Sequence, residues 1–326
     1  MPGGDEKQLK RRIKSVENTK QVTKAMEMIA SARLPKAQDR VAAARPYSEQ
    51  ITEVIRSLAE AGADLDHPLL AQKDEDEVQK VAYVIITSDR GLAGGYNNNV
   101  LRAATRAIDD DRAKGRDYSL VLVGKKAASY YHFRGYEIDA SFTGMSEQPT
   151  YEDARTVATA VSEPFEEGDI DLVRLIYTQF ISTGTQRVAV RQFLPLDTEA
   201  LADDDDDEDE GLQPAYEFEP SPTEILERLL PRYVEARLYA AMLEASASEL
   251  AARQRAMKAA SDNAGELIDN LNRDMNRARQ ATITTEIMEV VGGAEALRGG
   301  KGKKDYLPDN LVTHDYLPDH YDHARS

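Results

Sequence analysis

The chain contains no cysteine. A disulfide framework and a thiolate-ligated metal site are therefore both excluded. Tryptophan is also absent, and aromatics make up only 6% of the residues. That is lean for a compact enzyme and ordinary for long helices. Nothing approaches the run of about eighteen apolar residues that a membrane span needs. The opening "MPGGDEKQLKRR" lacks the apolar core of a signal peptide. A cytosolic chain without direct membrane insertion is expected. Metal-ligand spacings are missing as well: there is no H-x-x-x-H and no H-E-x-x-H, and His67 and His132 stand isolated. No cofactor and no metal are expected.

What is abundant is negative charge. The formal net charge is −17, and the run Asp203–Glu210, "DDDDDEDE", supplies eight of the acids. A generally acidic surface argues against nonspecific nucleic-acid binding, which needs clustered Lys and Arg. The sign is not uniform. Between residues 1 and 45, Lys7, Lys10, Arg11, Arg12, Lys14, Lys20, Lys24, Arg33, Lys36, Arg40 and Arg45 outnumber the acids. That segment is either a solvated basic face or the complement of an acidic partner.

Apolar periodicity organises the 326 residues. From Leu9, alternating steps of four and three meet Ile13, Val16, Ala30, Leu34, Ala37, Val41, Ala44, Ile51, Ile55 and Leu58. This predicts a coiled-coil seam over 1–58. The seam is interrupted at Lys20, Thr23 and Glu27, where the apolar residues Val22, Met26 and Ile29 stand beside it. The periodicity is expected to slip there. Pro35 and Pro46 mark two expected bends. Fifty helical residues reach roughly 75 Å, too long for a small core, so a partner helix is needed. Residues 222–297 supply one. Its stepping includes Ile225, Leu229, Ala236, Leu243, Leu250, Met257, Ala264, Leu267, Leu271 and Ala278. Ser221 and Glu224 form an expected capping box, and the paired Gly292 and Gly293 an expected stop. The longer C-terminal helix is expected to run beyond its partner.

Between them, 76–197 alternates continuous apolar strands with helices, ending in two strands joined by a short turn at Gly184. This is an α/β domain with a mostly parallel sheet and a terminal antiparallel hairpin. An acidic loop and linker, 198–221, and a flexible tail, 298–326, complete the plan. The tail repeats "DYLPD" and carries His314, His320 and His323 without an ordered scaffold to make them ligands.

The one stretch that looks like an enzyme's is "TSDRGLAGGYNNN", Thr87–Asn99. It follows a strand and precedes a helix, where α/β proteins hold ligands. It is neither a P-loop nor a G-x-G-x-x-G fingerprint. Asp89 and Arg90 could serve a substrate. Alternatively they pair with each other to tie the turn, while Gly91, Gly94 and Gly95 let a helix approach.

Four separated stretches together resemble one family. "IKSVENTKQVTKAMEMIASAR", "TSDRGLAGGYNNN", "AARQRAMKAASDNAGELI" and "ARQATITTEIMEVVGGAEAL" are similar to the signature stretches of the gamma subunit of F-type ATP synthase, in order over about residues 7–297. The resemblance implies a central rotor shaft: a long antiparallel coiled coil of the two end helices with an inserted, Rossmann-like α/β foot. It implies a non-catalytic subunit that couples proton-driven rotation of the c-subunit ring to the nucleotide states of the alpha and beta subunits. Partners would be alpha, beta, epsilon and the c-subunit ring, at the cytoplasmic face of the membrane. By the same resemblance, Lys24, Met26, Arg253, Arg279 and Gln280 are expected at the rotor–stator contact, and Tyr216 and Glu219 near the c-subunit ring. The apolar end Ile283–Leu297 is expected to act as a bearing. Ala93 stands where the family often has Cys, and Pro35 where it usually has a helix former. Two other classes remain open: an α/β phosphate-ester hydrolase centred on Asp89 and Arg90, and an unrelated coiled-coil adaptor.

Overall fold

The structure is a computed structural model that describes residues 4–60, 67–196, 219 and 221–299. Tyr216, the acidic run 203–210 and the tail beyond 299, with its three histidines, lie outside the described residues. The chain divides into two compact units, one of residues 15–268 and one of 1–14 with 269–326.

Two long helices dominate: α1, Gly4–Glu60, and α5, Pro222–Gly299. Between them lie β1 (Lys80–Ile86), α2 (Tyr96–Ala113), β2 (Asp117–Val123), α3 (Lys125–Phe133), β3 (Ala140–Phe142), α4 (Tyr151–Glu166), β4 (Leu172–Phe180) and β5 (Gln186–Leu194). The strands form one sheet in the order β3-β2-β1-β4-β5. Pairing is parallel from β3 through β4, and β5 returns antiparallel beside β4. The expected hairpin is thus present. The three-residue β3 was not foreseen, because a strand that short leaves no periodic signal.

β1, β2 and most of β4 are buried on both faces, which is why they read as continuous apolar runs. Val81, Tyr83 and Ile85 of β1 face α2 and α3, packing with Val100, Ile108 and Tyr131. Ala82, Val84 and Ile86 face the other way, toward Val157 and Val161 of α4. That second layer also takes in Ile51, Ile55 and Leu58 of α1 and Leu226, Leu230 and Leu238 of α5. The end helices are therefore part of the domain's core.

Farther along, Leu34 and Ala37 of α1 pack with Ala247, Leu250 and Ala251 of α5. The Gln254 amide donates to Ser31 Oγ at 3.3 Å. A Cβ on Gly265 would come within 3.1 Å of Lys20 Nζ. Numbers fall along one helix as they rise along the other.

Burial along α1 follows the expected steps apart from Lys20, which is exposed, with one correction. It does not slip at the interruption: Thr23 and Glu27 stay half-buried on it, while Val22 and Ile29 are 56% and 53% exposed. Helix geometry fixes which positions face inward, and the polar pair is satisfied locally. Glu27 takes an ion pair from Lys24 at 3.1 Å, and the Thr23 hydroxyl donates to the Lys20 carbonyl. Pro35 and Pro46, where bends are expected, both lie inside the continuous helix. On α5 the register also needs correcting. Burial recurs at Met257, Ser261, Ala264 and Leu271, so Ile268 takes the half-buried step and Leu267 is 38% exposed. At its start, the Ser221 hydroxyl accepts from the Glu224 N–H. At its end, Gly292 and Gly293 lie inside the helix and do not stop it.

Gly124 closes β2 at φ 96°, and a Cβ there would lie 2.3 Å from the Thr87 carbonyl oxygen. Both the left-handed backbone and the clash oppose any side chain. Gly124→Ala is expected to destabilise the protein by about 2 kcal/mol or more, read as a fall in the urea midpoint at unchanged slope.

Candidate functional site

The loop after β1 stands where parallel sheets usually bind ligands, beyond the carboxyl ends of the strands. Its first half is a fully engaged structural knot. Thr87 and Ser88 are buried. The Thr87 hydroxyl donates to the Val123 carbonyl and accepts from the Ala127 N–H. The Ser88 N–H donates to Asn97 Oδ1 at 2.9 Å.

Asp89 draws three strand ends together. One carboxylate oxygen accepts from the Lys125 N–H, which opens α3 after β2, at 3.1 Å. The other accepts from Gly144 and Ser146, after β3, at 2.9 and 3.2 Å. Its own N–H donates to Ser146 Oγ. Burial alone would raise this carboxyl, but the N–H groups of Gly144, Ser146 and Lys125 hold it below its usual range. A carboxylate so occupied is poorly placed for general acid or base work.

Arg90 does not pair with Asp89, which corrects that alternative of the sequence reading. Its guanidinium reaches Glu147 at 3.2 Å, and Arg33 of α1 reaches the same carboxylate at 2.8 Å. Glu147 also accepts, through its backbone carbonyl, from Ser246 Oγ of α5 at 2.8 Å. The Asp89 carboxylate is taken up by three backbone N–H groups, and Arg90 pairs with Glu147 instead.

Helix α5 then seals the loop. Arg253 donates to the Gly91 carbonyl at 3.4 Å and to Glu249 at 2.5 Å. Glu249 is 1% exposed, and its second oxygen has no protein partner. Burial pushes the Glu249 carboxyl up, and Arg253 offsets that only in part. The Tyr96 hydroxyl donates to the Ala245 carbonyl at 3.1 Å. A Cβ on Gly94 would meet Ala256 Cβ at 3.4 Å, an ordinary contact, so the glycine is needed there for its backbone at φ 57° and not for a close helix approach.

The residues singled out from the sequence fall into different settings. Arg253 is inside this knot. Met26 is half-buried and lines a cavity of about 220 Å3 with Ile29, Leu92 and Arg90. Lys24 is exposed and paired with Glu27. Arg279 and Gln280 belong to the other unit and are both exposed. Glu219 is exposed, and Tyr216 is outside the described residues. Met28, at 58% exposure, is an apolar surface residue beside them. Glu147, Ser246 and Glu249 were missed: a lone Glu in "GMSEQ" and small polar residues in an Ala-rich helix carry no spacing signal.

Among the described residues no group of His, Asp and Glu is arranged to hold a metal ion, and no helix is long and apolar enough to cross a membrane. The class this geometry defines is an α/β sheet domain inserted between two long end helices, one of which covers the usual ligand face. The family model described as ATP synthase matches residues 5–297. The ATP synthase gamma chain of Parafrankia sp. (strain EAN1pec) is 49% identical over 301 residues, covering 91% of this chain and 99% of that one. That of Heliobacterium modesticaldum is 46% identical over 299 residues, covering 91% and 100%. The fold is shared with a chain in the Euglena gracilis mitochondrial ATP synthase, at a TM-score of 0.64 and 20% identity, covering 95% of this chain and 100% of that one. The chain belongs to the ATP synthase gamma chain family.

Asp89→Asn is expected to lose about 1–2 kcal/mol of stability at neutral pH, since a half-exposed carboxylate shares its N–H partners with water. Because the folded carboxyl is held low, its contribution is present above the ordinary carboxylate range and fades as pH falls through the folded value. Urea unfolding of both proteins across acid pH should show the difference shrinking toward low pH.

Proposed function

We propose that this chain is the central shaft of an ATP synthase, with no active site of its own. In this reading α1 and α5 form an antiparallel coiled coil, the sheet domain is the foot, and rotation of a c-subunit ring is passed through them to the alpha and beta subunits. The epsilon subunit would sit beside the foot, and the assembly would lie against the membrane as a peripheral complex on its cytoplasmic face. Turning this shaft inside a ring would force the catalytic subunits through their nucleotide states in sequence.

The observation that supports this most is the distribution of apolar surface. The seam between the helices is filled by their own pairing, yet large apolar residues stand outside it. Val22, Met28 and Ile29 are exposed on α1. Ile283, Ile287, Met288, Val290, Val291 and Leu297 are exposed on α5. Exposed apolar rows of this kind mark contact surfaces. Lys24 and Met26 would meet acidic loops of beta, with Arg253 fixing the loop beside them. Arg279 and Gln280 would hydrogen-bond beta in one rotational state, and Glu219 with Tyr216 would lie toward the c-subunit ring. Each contact has to be weak, because one that strongly favoured a single state would trap the rotor there.

Reconstitution with the cognate alpha and beta subunits tests the reading. Mg-ATP hydrolysis should rise when this chain is added. The double variant Arg279→Ala, Gln280→Ala should lower that stimulation several-fold while leaving the isolated chain's melting curve unchanged. Equal rates with and without the chain, or turnover by the chain alone that Asp89→Ala abolishes, would sink the proposal.

A further inference from the structure

The β4–β5 hairpin reaches past the sheet to both long helices. At the end of β4, Phe180 packs against the cluster that Leu34 and Ala37 of α1 form with Ala247, Leu250 and Ala251 of α5. An aromatic ring from the sheet domain therefore stands at the seam of the helix pair.

The turn beyond Phe180 is closed on itself. The Ser182 N–H donates to the Thr185 carbonyl at 2.9 Å, and the Thr185 N–H donates back to the Ser182 carbonyl at 3.2 Å. The Gln186 side-chain amide donates to the Ser182 and Thr183 carbonyls. A turn tied this way offers its neighbours groups at fixed positions. Both helices use them. The Gln38 amide of α1 donates to the Thr183 hydroxyl at 3.1 Å. Arg255 of α5 donates to the Thr183 carbonyl and to the Gln186 side-chain oxygen. Charge joins the same three elements a little nearer the sheet, where Glu244 of α5 faces Arg191 of β5 and Arg45 of α1.

We propose that the β4–β5 tip is a clip that fixes α1 and α5 to each other and to the sheet domain, with Gln38 and Arg255 as its positioning residues. Each helix is referred to the same residue, Thr183, so neither can slide or turn without the other unless the tip opens. Phe180 fills the seam behind it, and close-packed contacts pass strain on with little give. The inference rests on the shaft reading. In a shaft, the clip would limit how much angle is lost between the sheet domain and the ring around the helices.

Two measurements separate the clip from the shaft. In the full-length chain alone, hydrogen exchange at the Ser182 and Thr185 amides reports opening of the tip. The double variant Gln38→Ala, Arg255→Gln is expected to speed it about threefold to tenfold, because exposed hydrogen bonds are individually weak. The melting curve should not move, since Gln38 is half-buried and Arg255 exposed. In the complex with cognate alpha and beta subunits, a probe on Glu137→Cys reports the angle of the sheet domain. The same double variant should roughly double the variance of that angle at each pause while the hydrolysis rate stays the same. Phe180→Ala should widen it further. A general loss of structure would instead lower the melting curve and the hydrolysis rate together. Unchanged exchange would overturn the clip, and faster exchange with an unchanged spread of angle would overturn its part in turning. Failure of the unsubstituted chain's probe to rotate would sink the shaft reading itself, and exchange would still decide whether the tip holds the two helices.

Discussion

The loop from Thr87 to Tyr96 is gripped from two sides at once, and the larger unit is organised around that grip. Asp89 gathers the backbone of the segments after β2 and β3, so the parallel strands end in register at one point. Glu249, Arg253 and Tyr96 then fasten the same loop to α5. Without the first set the loop would have no fixed shape for the helix to meet. Without the second, the sheet would have an open crevice at its carboxyl edge. The buried Glu249–Arg253 pair costs desolvation that its attraction only partly offsets. What it provides is position: a charge pair satisfied at one place on the helix disfavours sliding of α5 along the loop.

This arrangement bears directly on what the chain can do. In α/β enzymes the carboxyl edge is where substrates bind. Here Ala241–Ala251 of α5 is buried at every position but the half-buried Glu244, so the helix has taken much of that place. A helix tied to a sheet through apolar packing, an ion pair and backbone hydrogen bonds transmits force, because none of these contacts yields without breaking several others. The domain and the long helix are thereby held together as one packed body.

The large features were legible in the sequence because they rest on periodicity. Seam steps from Ile13 to Leu58, both long helices, the parallel strands and the closing hairpin all followed from apolar spacing. Errors came where residue type and geometry disagree. Thr23 and Glu27 looked like a slip in register, yet a helix turns by its own pitch, and a polar residue on the seam simply finds a local partner. Gly292 looked like a stop, but long helices carry single unfavourable residues when the rest of the helix is committed. The knot itself was only half legible. The glycine-rich loop could be read as a turn against a helix, but its Gly94 serves a left-handed backbone at φ 57° and not a close approach. The partners of Asp89 and Arg90 could not be read, because Ser146, Glu147 and Glu249 reach them only through the fold.

The central claim is that the chain turns as a shaft. The lack of cysteine makes it directly testable, since Glu137→Cys, at an exposed position of the sheet domain, would be the chain's one thiol. A probe attached there, with the alpha and beta subunits fixed to a surface, can be followed by single-molecule microscopy under Mg-ATP. Sustained rotation in one direction, stepping at the rate of hydrolysis, is the predicted result. A probe that stays fixed or merely diffuses about one angle while ATP is hydrolysed would contradict the account.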